Sequence, residues 1–70
     1  MKIERLAGVP GKPETELLYG GEWCVCQYNQ AAWTWTEQIY GPLRKDERSA
    51  IRAWNAMVRR IRKANAGGQP

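Results

Sequence analysis

An apolar stripe in the second half of the chain constrains the fold most. Ala50, Ile51, Trp54, Met57, Val58 and Ile61 recur at spacings of three and four, which a turn of about 3.6 residues aligns on one side of a helix. The spacing predicts a helix over residues 46–65 with one buried face. Asp46 and Glu47 suit its amino end, and Arg59, Arg60, Arg62 and Lys63 crowd the other, so both ends complement the macrodipole. Gly67-Gly68 stops it. A one-sided helix cannot bury its stripe alone, so the rest of the chain must supply a second layer.

That layer reads as a sheet. Residues 15–19 and 22–28 are strand-like, and Gly20-Gly21 between them suits the positive φ angles of a two-residue hairpin turn. A second turn over residues 29–32 leads to residues 33–40, where aromatic and β-branched residues alternate with period two until Gly41-Pro42 ends the pattern. The expected fold is α+β: a three-stranded antiparallel meander with one C-terminal amphipathic helix packed on it. At 70 residues there is room for a single domain, over residues 15–65. Gly8, Pro10, Gly11 and Pro13 make residues 1–14 an irregular arm, with a short strand allowed at residues 2–6, and residues 66–70 form a flexible tail.

Alternation gives the sheet two faces. Trp23 and Val25 share one with Trp33, Trp35 and Ile39, which makes it the face expected to meet Trp54 and Ile61. Cys24, Cys26, Tyr28 and Tyr40 fall on a half-exposed second face, which either meets a partner or is sealed by the arm.

Several classes of chemistry lack their residues. The chain has no His, which removes the commonest general base and transition-metal ligand. Cys24 and Cys26 sit two positions apart on a strand and cannot readily bridge; they read as small buried hydrophobes in a reducing compartment. Neither a phosphate-binding loop nor a nucleophile elbow occurs, and the carboxylates are scattered, so no catalytic residue, metal, cofactor or small-molecule substrate is expected. No apolar run reaches the roughly 20 residues of a membrane span, and the amino terminus lacks the apolar stretch of a signal peptide, so the expectation is a cytoplasmic protein without membrane contact.

Charge is unevenly placed. Residues 44–63 hold eight Lys and Arg against two carboxylates, whereas residues 1–43 hold three against five. Arg48, Arg52, Arg59 and Lys63 fall on one flank of the helix, and arginine outnumbers lysine six to two in this segment. The guanidinium fork suits carboxylates and phosphates alike. The flank therefore reads either as a solvated helix face or as a footprint for an acidic protein surface or nucleic-acid phosphate. In a nucleic-acid module, Trp33, Trp35, Tyr28 and Tyr40 would serve as stacking platforms, although the tryptophans also supply most of the core volume in a chain without Phe.

The hairpin residues Leu17, Leu18, Tyr19, Gly20, Gly21, Glu22, Trp23, Cys24, Val25 and Cys26, followed by an arginine-rich helix, resemble the compact proteins that lytic bacteriophages make against host machinery. More narrowly, the chain resembles the small phage regulators that bind host RNA polymerase, blocking promoter initiation by the holoenzyme while suppressing termination. The resemblance spans the full length and rests on size, basic charge and overall pattern. It implies a non-enzymatic transcription inhibitor and antitermination factor in the bacterial host cytoplasm. Such a protein attaches to the large polymerase subunits near the RNA exit channel and alters sigma-factor function. It carries no functional residues over. The partner-binding set therefore follows from charge and exposure alone: Arg48, Arg52, Arg59, Arg60 and Lys63 to steer, with Tyr28, Tyr40 or a strand edge as apolar anchor.

Overall fold

The computed structural model describes residues 1–30 and 36–67. Its elements run β1 (Pro13–Leu17), β2 (Trp23–Gln30), β3 (Thr36–Tyr40) and α1 (Glu47–Gly67). The strands form one antiparallel sheet in the order β1-β2-β3, with α1 packed mainly on the central strand. This is the expected α+β meander with its C-terminal helix.

The hairpin between β1 and β2 differs from the expected two-residue turn. Leu17 pairs with Trp23, Leu18 N donates to Glu22 O at 2.8 Å, and Gly21 N donates to Leu18 O at 2.9 Å. Three residues, Tyr19, Gly20 and Gly21, thus form the loop, and of its two glycines Gly21 alone has a positive φ, at 78°. A tight turn followed by one left-handed residue needs a single glycine there, where the two-residue alternative centres the register between Gly20 and Gly21. β1 consequently begins at Pro13, an edge position where the missing ladder donor does no harm. β2 runs on through Asn29 and Gln30, which pair with Glu37 and Thr36 where a turn was expected. The rest of that turn and the expected strand start at Trp33 to Trp35 lie outside the described residues.

Asp46 caps α1: Ser49 N donates to Oδ1 at 2.9 Å and Ser49 Oγ to Oδ2 at 3.0 Å. These bonds, aided by Arg52 and Arg48, hold the Asp46 carboxyl below the usual aspartate range. Thr15 Oγ1 donates to Glu47 Oε2 at 2.7 Å, which fastens the start of the helix to β1. The helix extends to Gly67, past its expected end at Asn65, so residues 66 and 67 belong to α1 and not to a tail. One consequence is that no basic residue lies in the last turn; the cations stop a turn earlier.

Val25, Ile51, Trp54 and Val58 form the buried core, with Ile3, Leu6, Ile39 and Met57 packed against it. Trp54 is the bulk of it. Gly41 lets the indole approach: a Cβ there would stand 2.8 Å from Trp54 Cε3 and 3.2 Å from Val25 O. Ile61, expected in this core, is 37% exposed instead.

The amino-terminal arm forms no strand at residues 2–6, yet it is firmly held. Gln27, fully buried on the helix side of β2, accepts from Leu6 N at 2.9 Å and donates to Leu6 O and Val9 O, each at 3.0 Å. On α1, Asn55 accepts from Glu4 N at 2.7 Å and donates to Lys2 O at 2.9 Å, while Trp54 Nε1 donates to Glu4 O at 2.6 Å. Side chains thus do for the arm what a neighbouring strand does for a strand. Among the described residues no buried side-chain nitrogen or oxygen lacks a partner. These bonds hold the arm on the helix side of the sheet; on the other face Cys24 and Cys26, expected to be half-exposed, are buried at 0% and 2% exposure, and only Tyr28 and Tyr40 stay partly open.

Candidate cationic docking face on the helix

Five of the seven sequence-selected residues lie on α1. Arg48, Arg52, Arg59, Arg60 and Lys63 are all exposed. At 3.6 residues per turn, Arg48, Arg59, Arg52 and Lys63 fall within an arc of roughly 60°, with Arg60 beyond it. Among the described residues one ion pair forms, Arg62 to Glu4 at 3.4 Å, and none of these five takes part in one. Their charge faces solvent because the stripe at Ile51, Trp54 and Val58 turns the opposite side of the helix to the sheet.

Tyr28 and Tyr40 lie elsewhere. Val25 and Gln27 face the helix, so Cys26 and Tyr28 face away, and Tyr40 pairs with Cys26 on that same far face. Tyr28 is 37% and Tyr40 51% exposed. The structure therefore brings the two tyrosines together and the cations together, but sets the two groups on opposite sides of the sheet. A single flat contact cannot combine them as expected.

The tyrosine face has its own polar relay, which only the strand register reveals. Tyr40 Oη donates to Gln38 Oε1, Gln38 Nε2 to Cys26 Sγ at 3.4 Å, and Cys26 Sγ to Glu16 Oε2 at 3.5 Å. It crosses all three strands. Burial first, then the bond to Glu16, pushes the Cys26 thiol up to about 11, and burial with the Glu16 charge also raises Cys24. Burial, with smaller contributions from Cys26 and Glu16, raises both tyrosine hydroxyls as well. Both cysteines are free, buried and neutral near pH 7, the opposite of what a nucleophile or metal ligand requires. Among the described residues no three His, Cys, Asp or Glu side chains gather where they could hold a metal ion.

A further feature was not legible in the sequence. Where the arm passes the carboxyl-terminal half of α1, Leu6, Ala7, Val58, Ile61, Arg62 and Asn65 line a groove of about 190 Å³. Ile61 forms part of its wall, which is why it escapes the core.

No described helix is long and apolar enough to cross a membrane. Comparison of the chain with family models, curated proteins and solved structures finds no match.

Proposed function

We propose that this chain is a non-enzymatic regulator that binds an acidic protein surface through the exposed cationic side of α1. The observation that carries this reading is the set of Arg48, Arg52, Arg59 and Lys63 on one narrow arc, none of them in ion-pair contact with a carboxylate among the described residues, with Arg48 and Arg52 only near enough to Asp46 to lower its carboxyl. Charges arranged this way steer encounter and fix orientation. The resemblance to small phage regulators gives the partner: the large subunits of host RNA polymerase in the bacterial cytoplasm, with inhibition of initiation, suppression of termination, or both as the outcome.

A nucleic-acid module is the competing reading. In it the same arginines contact phosphate while Tyr28 or Tyr40 stacks on bases. The separation of tyrosines from cations by the sheet favours the protein partner, because a bound single strand would have to wrap an edge to use both.

The test is capture of purified bacterial RNA polymerase on the immobilised chain, with nuclease present and with bare oligonucleotide as competitor. Retention under both conditions is expected. Binding to oligonucleotide alone, with a steep salt slope, would transfer the cationic arc to nucleic acid.

A further inference from the structure

With the tyrosines on the wrong side of the sheet, a docking face built on α1 lacks an apolar anchor, and charge alone seldom gives tight binding. We propose that the groove bounded by Leu6, Ala7, Val58 and Ile61 is that anchor point. It takes one leucine- or phenylalanine-sized side chain from an extended acidic segment of the partner protein, whose carboxylates meet Arg62, Arg59 and Lys63. This inference rests on the reading of α1 as a docking face for an acidic protein.

Three observations support it. The first is room: the groove holds about 190 Å³, whereas an apolar cavity of about 150 Å³ already accepts benzene. The second is charge complementarity. Arg62 lines the groove with its side chain 59% exposed, and at 3.6 residues per turn Arg59 and Lys63 follow it on the same flank, roughly 60° and 100° further round. An apolar slot with cations on one rim selects an apolar residue flanked by acids.

The third is a precedent within the molecule. The arm is itself a non-helical segment of mixed apolar and acidic side chains on this helix: Ile3 and Leu6 pack against the core, Asn55 binds the backbone of Lys2 and Glu4, and the Glu4 carboxylate lies 3.4 Å from Arg62. It then turns away at Ala7-Gly8, where Gly8 has a φ of 84°. Beyond that turn Ile61 is left open. A partner segment entering there continues the track that the arm vacates and repeats its chemistry.

The experiment uses the full chain and two labelled acidic peptides of glutamate and aspartate, one with a central leucine and one with alanine in its place. Binding is read by fluorescence anisotropy and by backbone amide shifts. The leucine peptide is expected to bind about tenfold more tightly, as burial of a side chain of that size allows, and to shift the amides of Leu6, Ala7, Val58 and Ile61. Ile61→Gln, at an exposed position that folding tolerates, should remove that preference, while Arg59→Glu should weaken both peptides alike. Equal binding of the two peptides, or no binding of either, overturns the groove as anchor. The cationic reading stands or falls separately, on whether Arg52→Glu with Arg59→Glu alters binding of purified polymerase.

Discussion

Gln27 holds Leu6 by both of its backbone groups: the side-chain carbonyl accepts from Leu6 N at 2.9 Å and the amide donates to Leu6 O at 3.0 Å. The same amide reaches Val9 O at 3.0 Å. A residue that reads as an ordinary polar position in a strand is thus the fastening between the arm and the sheet, and Leu6, which it holds, is one wall of the groove.

Gln27→Leu keeps comparable volume but leaves Leu6 N and Leu6 O without their partner, while Val9 O keeps its bond from the Arg5 guanidinium at 2.8 Å. The expected loss is about 2 to 4 kcal/mol, since each buried group left unpaired carries its desolvation penalty. Urea unfolding measures it. An unchanged midpoint would mean that the arm is not held by this side chain.

Trp54 offers a graded test of the core. Trp54→Ala should cost about 3 to 5 kcal/mol, most of what a domain of this size holds. Trp54→Phe should cost less, chiefly the bond to Glu4 O, worth about 1 to 2 kcal/mol. Gly41→Ala acts on the same contact from the other side: the new methyl meets the indole at 2.8 Å, and overpacking of this kind costs about 1 to 3 kcal/mol. Thermal unfolding should rank the three accordingly.

The helix was legible to within two residues because a stripe at spacings of three and four reports orientation directly. That stripe could not report coverage. Ile61 lies on the same side of α1 as Val58, yet whether anything covers it depends on where the arm turns away. Likewise Gly20 and Gly21 marked the hairpin but not its length, since two- and three-residue loops both accept glycine and differ only in register. Gln27 and Asn55 were missed for another reason: amides that serve a distant arm cannot be told from surface residues until the path of the arm is known. The arginine arc was readable from helical spacing alone, whereas the relay from Tyr40 to Glu16 required the pairing of all three strands.

The raised Cys26 thiol makes stability depend on alkaline pH. An unfolded thiol releases its proton near 9.0, and the folded one holds it to about 11. Over that interval the native state binds more protons, so stability is complete below pH 9 and falls as pH rises through the folded value. Urea midpoints at pH 8 and pH 10.5 should show this loss, and Cys26→Ala should reduce it. Equal slopes in the two proteins would contradict the assigned burial of the thiol. At neutral pH the same protonation predicts slow alkylation of the native protein by iodoacetamide, which unfolding in urea should accelerate.

The central claim is that the cations of α1 steer the chain onto an acidic protein partner. Its most direct test is the association rate with purified bacterial RNA polymerase at several ionic strengths, for the wild type and for Arg52→Glu combined with Arg59→Glu. The wild-type rate should fall steeply with added salt, and the double variant should associate about tenfold or more slowly at low salt with little salt dependence, while its unfolding midpoint stays close to that of the wild type. Identical rates for the two proteins across the salt series, or no association of the wild type, would contradict it.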